Sequence, residues 1–401
     1  MILEQKPMRN LAMEDVLSLI TNKVSESRML DYKETLPGNS DAQKREFLCD
    51  VSAFANTSGG FLVFGVKEEE GIPLGLSGLL VQDEDELILR LENMVRDGIE
   101  PRIPNIFTQC FSGSGVGSIV IMHIPKSPVG PHMVTFQRHG WFYLRESRGK
   151  HPMDVNELRR AFKSLEATDQ QIAGFKSERI LKISQGVTPV KIFDSAKVIL
   201  HLIPYTMNDE SFTYDLGKLR NQIHQIRPLY TFSGWSDKYN LDGIVTFEGP
   251  NLPTHTYLQV FKNGVIEAVS TGLLNQLPEQ NVPKIASVLL ERELIGGLKQ
   301  YNSIQRLLGI NPPYEVAITL IGVRGYSMAF DIWKHGAVGL VHAMTHEPSI
   351  DQDLLSIPEV TVNSENEEAD VILKPIFDHL WNAAGWPHSL NYDSNGRWNP
   401  N

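Results

Sequence analysis

Between residues 29 and 66 the apolar residues change their spacing twice, and few folds accommodate that succession. In Met29–Glu34, Leu30 and Tyr32 alternate with Asp31 and Lys33, the period of two that a half-buried strand shows. Side chains two apart on a strand share a face, so Asp31 and Lys33 project together, with Glu26 just before them. After a turn at Pro37–Ser40, residues 43–56 place Phe47, Val51, Phe54 and Ala55 at helical spacing, with Lys44, Arg45, Glu46 and Asp50 around the rest of the wheel. Turn formers at Asn56–Gly60 stop this helix. Phe61–Val66 is then a short unbroken apolar run, as in a buried strand, and it ends against Glu68, Glu69 and Glu70. The expectation is an α/β unit in which strands 29–34 and 61–66 share one sheet and helix 43–56 covers a face of it.

The flanks fit this core. Met13–Lys23 reads as a short helix with Val16, Leu17 and Ile20 on one side, and Asp83–Arg96 as another, its acidic start matched to the helix dipole. Asn105–Phe111 and Ser118–Ile124 read as a hairpin around Ser112–Gly117. The glycine-rich turn of that hairpin leads into a strand and lacks a following Lys-Ser/Thr, so it is no phosphate-binding loop. Residues 126–163 then hold eight lysines and arginines against three carboxylates, with Trp141, Phe142 and Tyr143 interleaved. Cations among aromatics pair phosphates and stack bases. Arg138, His139, Arg145, Arg148 and Lys150 are therefore expected to contact a polyanion. The plainer alternative makes Phe142 and Leu144 core residues of a strand whose polar face is basic, followed by a helix over 154–165.

Taken together, Glu26-Ser27, Asp31-Tyr32-Lys33, Ala53–Thr57 with Gly59-Gly60, Gly65-Val66 and the segment His139–Arg148 resemble the Schlafen-type AlbA domain over roughly residues 10–165. The resemblance implies a DNA- or RNA-binding module, and some similar eukaryotic Schlafen proteins cut transfer RNA with three carboxylates. Two features depart from the pattern. Asp31 stands where a glutamate is usual, and Lys67 follows Gly-Val where an acidic residue is common.

A chain of 401 residues, 41% apolar, is long enough for two or three packed domains. The fold class expected is an α/β N-terminal Schlafen AlbA-type domain followed by an α+β C-terminal domain. The boundaries are 10–165 for the first, 190–345 for the second and 346–401 for a C-terminal extension. In the second part Glu166–Leu181 reads as a helix, Ala196–Pro204 as a strand, and Thr256–Phe261 with Val265–Ser270 as a hairpin through a two-residue Asn263-Gly264 turn. Pro283–Leu308 reads as a helix broken near Gly296-Gly297. Cys49 and Cys110 offer neither a disulfide framework nor metal spacing, and a cytoplasmic protein without a membrane segment is expected. The net charge of −11 argues against a protein that coats nucleic acid over its whole surface.

Two functions stay open. In the first, Asp31 and Lys33 form a structural ion pair, worth about 0–1 kcal/mol if exposed, and the basic segment binds RNA or DNA without cofactor. In the second, Glu26, Asp31 and one of Glu68–Glu70, with Glu68 first, hold Mg2+ or Mn2+ while Lys33 steadies the nucleophile or the transition state of an endoribonuclease. Nothing in the sequence fixes the oligomeric state, a homo-oligomer included.

Overall fold

The structure, a computed structural model, describes residue 3 and residues 8–112, 115, 117–147, 149–207, 214–249, 252–275, 283–330, 348–364 and 367–400. The chain divides into two compact units, Met1–Ala167 and Thr168–Asn401.

In the first unit α1 (Met13–Thr21) precedes β1 (Leu30–Lys33), α2 (Asp41–Ala55) and β2 (Gly59–Phe64). β1 and β2 pair in parallel, Asp31 opposite Leu62 and Lys33 opposite Phe64, which requires the crossover that α2 supplies. Strand alternation decides which helix covers which face. Leu62 and Phe64 cluster with Phe47, Leu48, Val51 and Phe54 of α2, whereas Leu30, Tyr32, Phe61 and Val63 cluster with Val16 and Leu19 of α1. Each large apolar side chain so buried contributes roughly 1.5–3 kcal/mol. Asp31 and Lys33 lie on the α2 side, beneath a helix whose Asp50 is also buried.

The apolar run ends earlier than its composition suggests. Gly65, at φ 92°, turns the chain, and Val66 opens a separate hairpin of β3 (Val66–Glu69) and β4 (Ile72–Leu76). Next come α3 (Glu84–Gly98), β5 (Ile99–Glu100), β6 (Phe107–Phe111) and β7 (Ile119–Pro125). Asp83 caps α3 by accepting the Glu86 N–H at 3.0 Å, so the acidic cluster serves the helix start. The main sheet runs β1-β2-β7-β6. A second sheet, in the order β10-β9-β8-β5, adds β8 (Met133–Val134), β9 (Trp141–Arg145) and β10 (Lys150–Pro152). Part of the glycine-rich turn at 112–118 lies outside the described residues.

Gly60 shows how closely α2, β1 and β2 meet. It sits at φ 153°, and a Cβ there would come within 2.5 Å of both the Met29 carbonyl oxygen and the Phe54 ring. Gly60→Ala is therefore expected to cost about 1–3 kcal/mol, read as a lower urea midpoint of the first unit with binding surfaces otherwise intact.

The two helices expected over 154–165 and 166–181 are one, α4 (Val155–Ser184). In the second unit β11 (Lys197–Pro204), α5 (Gly217–Arg220), β12 (Trp235–Tyr239), β13 (Gly243–Glu248), β14 (Thr256–Phe261) and β15 (Ile266–Ser270) are followed by β16 (Lys284–Ala286), α6 (Ser287–Leu308) and β17 (Tyr314–Ile321). β18 (Ser327–Ala329), β19 (Leu354–Ser356), β20 (Val360–Val362) and α7 (Ala369–Ala383) complete it. The large sheet runs β12-β13-β14-β15-β11-β17-β19, with β20 also on β17. Leu290, Leu294 and Leu298 of α6 and Ile372, Phe377 and Trp381 of α7 share one core with Val198, Leu200 and Leu202 of β11. Ile183 of α4 packs instead with Ile199, Tyr257 and Val269.

Three expectations fail here for physical reasons. α6 runs unbroken through its glycine pair, because Gly297 lets Leu229 approach to where a Cβ would be 3.0 Å away. In the β14–β15 hairpin only Gly264 takes positive φ, at 83°. The Gly264 N–H donates to the Phe261 carbonyl and the Phe261 N–H to Val265, a three-residue turn with a bulge in place of the two-residue turn. Finally, residues 348–400 are no extension, since Ile350, Leu355, Val362 and Trp386 belong to the core of the second unit. Among the described residues no helix is long and apolar enough to cross a membrane.

Candidate functional site

The residues singled out in β1 come together with two from far along the chain. Arg145, at the end of β9, is only 3% exposed. Its Nη1 donates to Asp31 Oδ2 at 3.1 Å, while Nε and Nη2 donate to the Ser27 and Leu30 carbonyls at 3.3 Å each. The guanidinium lies 4.3 Å from the centroid of the Phe54 ring, a cation–π contact in a desolvated setting. Lys33 Nζ bridges Asp31 at 3.1 Å and Asp50 at 3.3 Å. Asp50 in turn receives Lys150 Nζ at 2.6 Å, and the same ammonium reaches Glu46 at 2.6 Å. Charges of alternating sign thus run from β9 through β1 and α2 to β10.

The helix-ending motif holds this arrangement in place. Asn56 Oδ1 accepts the His132 N–H at 2.7 Å, and its Nδ2 donates to the carbonyls of His132 and Tyr143 at 2.9 and 3.1 Å. Thr57 Oγ1 accepts the Arg145 N–H at 2.9 Å. An Asn-Thr pair after the helix therefore ties α2 to the second sheet and sets the position of Arg145.

Glu26 is anchored beside the β3–β4 turn by donating its N–H to the Gly71 carbonyl at 2.7 Å, and its Oε1 accepts the Tyr32 N–H at 2.9 Å. Burial, reinforced by a hydrogen bond to the Asp31 carboxylate, pushes the Glu26 carboxyl up to about 7. Burial would raise Asp31 too, but the Glu26 bond, Lys33 and Arg145 hold it below the usual carboxylate range. Their hydrogen bond couples the two carboxyls, Glu26 being the harder to ionise. Glu26 and Arg145 line a cleft of about 580 Å³ together with Arg28, Glu146, His151 and Glu157.

Glu68 is exposed on β3, and its Oε2 accepts the Gly71 N–H at 2.5 Å. Glu68 and Glu26 thus flank Gly71 from either side, near enough for the Glu68 charge to help raise the Glu26 carboxyl, so Glu26 stands between buried Asp31 and exposed Glu68. Among the described residues no three His, Cys, Asp or Glu side chains are grouped to hold a metal ion. Asp31 is already engaged by two cations, Lys33 and Arg145, so these side chains as placed do not form a ready ligand set for a divalent ion. Lys33 is held between two aspartates and raised above its ordinary value, since their charges outweigh burial.

The basic segment also divides. Arg145 is not a surface residue but a buried partner of Asp31, because the face of β9 it shares with Trp141 and Tyr143 passes from exposed at Trp141 to buried at Arg145, where the guanidinium meets a carboxylate. Lys150 is mostly covered, with 14% of its side chain exposed, and is spent on Asp50 and Glu46. His132 is buried, its ring within 2.7 Å of the Pro101 carbonyl oxygen. Arg148 lies outside the described residues. Arg138 remains at the surface, in a turn where Gln137 and Arg138 both adopt positive φ, 53° and 59°. His139 stacks on Tyr143, with rings 4° from parallel and centroids 6.0 Å apart, and its Nε2 is 2.7 Å from the tyrosine hydroxyl. Trp141 stands beside them, 51% exposed. Burial and the neighbouring Arg45 lower the His139 pKa, which places Arg45 of α2 against the same face. Arg45 was passed over in the sequence because a cation on the polar side of a helix carries no mark of what faces it.

Residues 26–154 match the family model described as Schlafen, AlbA_2, so the resemblance carried by the N-terminal motifs holds over that segment. No curated protein matches the chain. Similar solved structures include the DIP2311 protein from Corynebacterium diphtheriae, 17% identical over 36% of this chain and 27% of that one, with a TM-score of 0.25. Another is the N-terminal domain of a RecG-related protein from Nitrosomonas europaea, 17% identical over 36% of this chain and 94% of that one, with a TM-score of 0.26. The chain thus spans about a quarter of the diphtherial protein, and at such scores neither likeness fixes a fold or a role.

Proposed function

We propose that the Schlafen AlbA_2 domain of residues 26–154 binds nucleic acid, and that it does so on the face formed by Arg45, Arg138, His139, Trp141 and Tyr143. The observation that carries this reading is the exposed aromatic group beside cations that form no salt bridge among the described residues: Trp141 is half exposed, His139 stacks on Tyr143, and Arg138 is displayed by a strained turn. Rings of this kind stack on bases while guanidinium groups pair phosphates. The buried ion network beneath the face serves as its scaffold. It fixes β9, which carries both Trp141 and Tyr143, to α2, which carries Arg45.

The test compares wild type with Arg138→Ala/Trp141→Ala on transfer RNA, single-stranded DNA and duplex DNA across a salt series. The double variant is expected to bind about tenfold more weakly and to show a shallower salt dependence by about one released counterion. Unchanged affinity across the series would overturn the reading. The same gels, run with magnesium, manganese or chelator, report cleavage; metal-dependent cutting of transfer RNA that disappears in Asp31→Asn would replace binding by catalysis as the role of the unit.

A further inference from the structure

Beneath the face formed by Arg45, Arg138, His139, Trp141 and Tyr143, a chain of hydrogen bonds leads from the core of the first unit to its surface. It joins Cys49 of α2, Tyr143 of β9 and His139 in the turn before β9. His139 Nε2 lies 2.7 Å from the Tyr143 hydroxyl oxygen, with the two ring planes 4° apart. The same hydroxyl bonds the Cys49 thiol, which is buried, 3% exposed. Resting on the nucleic-acid reading of this face, we propose that a bound strand draws a proton onto His139. Tyr143 and Cys49 are then the positioning residues that let the imidazole change charge without losing its bond.

A phenolic hydroxyl donates one hydrogen bond and also accepts, whereas a thiol is weak in both roles. Beside a neutral imidazole the Tyr143 hydroxyl therefore donates to Nε2, the stronger acceptor, and the thiol donates to the phenolic oxygen. Once His139 takes a proton from solvent, its Nε2–H donates to that oxygen, and the hydroxyl hydrogen turns to the Cys49 sulfur. The 2.7 Å contact is bonded in both states. Burial and the Cys49 bond push the Tyr143 phenol well above its usual range, so the hydroxyl hydrogen is kept throughout.

The charges around the ring decide which state prevails. Arg45 of α2 acts on it, Arg138 precedes it in the turn, and the Trp141 ring stands 6.4 Å away. The carboxylates of the neighbourhood are turned to other groups, Glu46 to Lys150 at 2.6 Å and Asp41 to the Gln137 amide. In the free protein, burial and Arg45 hold His139 below its ordinary value, which leaves it neutral at about pH 7. Phosphates laid against Arg45 and Arg138 cancel that repulsion and set negative charge beside the imidazole, favouring its charged form. The face thus gains a third cation only when it is occupied.

Oligothymidine suits the test, since thymine does not titrate where histidine does, between about pH 5 and about pH 8. Its affinity for the full chain would be measured across that range, with proton uptake read by calorimetry in buffers of different ionisation heat. Wild type is expected to bind about tenfold more tightly at the acid end than at the alkaline end, with net proton uptake between. His139→Gln should flatten the profile and abolish the uptake. Cys49→Ala removes the sulfur that receives the hydroxyl hydrogen, so it should move the profile to lower pH while the affinity at the alkaline end stays that of wild type. Cys49→Ser, which again accepts that hydrogen, should restore the midpoint. A profile unchanged in His139→Gln, or unmoved by Cys49→Ala, would overturn the proposal; if that binding is still weakened by Arg138→Ala/Trp141→Ala, the face itself stands. Binding that the double variant leaves unchanged would remove both.

Discussion

Replacing Arg145 by methionine is expected to destabilise the first unit by roughly 3–5 kcal/mol. Methionine fills much of the same volume, so the loss measures the missing charge and not a cavity. Without the guanidinium, Asp31 keeps Lys33 but loses its buried partner at 3.1 Å, and the Ser27 and Leu30 carbonyls lose their donor. Asp31→Asn in the same background should recover part of the loss, because it removes the carboxylate that Arg145 neutralised. Denaturant unfolding followed through first-unit peptides measures both variants. A loss below about 1 kcal/mol in Arg145→Met would place the pair in the class of exposed ion pairs, and the buried network would then be of little account.

Glu267→Gln is expected to be equally costly, roughly 3–5 kcal/mol, in the second unit. Glu267 is fully buried. It accepts Arg179 Nε and Nη2 at 2.8 and 2.9 Å, the Tyr257 hydroxyl at 2.8 Å, and lies 3.0 Å from His201 Nε2. An amide of nearly the same shape would leave the Arg179 cation facing a donor. Burial opposes ionisation of Glu267, but the Arg179 and His201 bonds overcome it and pull the carboxyl down to about 2 from its usual 4.5. Its contribution is therefore present above pH 4.5 and lost as pH falls toward 2, on the order of 3 kcal/mol in all. Glu26 behaves oppositely. Raised from 4.5 to about 7, it stabilises the first unit fully below pH 4.5, and that contribution is lost as pH rises through about 7. Limited proteolysis across pH, with fragments assigned by mass spectrometry, should show the second unit weakening in acid in a manner that Glu267→Gln abolishes. The first unit should weaken toward neutral pH in a manner that Glu26→Gln abolishes.

The local architecture around β1, α2 and β2 was legible because each element buries one face and so carries its own period. Helix 43–56 and strand 29–34 are seen as Asp41–Ala55 and Leu30–Lys33, and the AlbA_2 resemblance rested on the same residues. What could not be read was the partner of Asp31. Trp141, Tyr143 and Arg145 alternate onto one face of β9, which passes from exposed at Trp141 to buried at Arg145, and only Asp31, 114 residues away, marks where it goes under. Reading the basic segment as a single surface failed for that reason: spacing along a strand assigns a face without saying where along it burial begins. Glu68 reaches Glu26 by a route the composition does not show. Gly65 at positive φ begins a new hairpin, and its turn residue Gly71 bonds to both Glu68 and Glu26. In the second unit, Phe193, the Tyr230–Phe232 pair and His255 meet from three loops without a common period, so no pattern announces them.

The way Asn56, Thr57 and Asp31 find their partners bears on how the chain is made. Their bonds span 76 to 114 residues, and synthesis proceeds from the N-terminus at about 5–20 residues per second. For several seconds the nascent chain holds Asp31, Lys33 and Asp50 with no Arg145 or Lys150 to meet them, so the central sheet can gather early while its charged seam stays open to water. Closure of that seam must wait for β9 and β10 to emerge. Chains released before that point would carry an unsatisfied α2 face, the kind of surface that chaperones retain and proteases find.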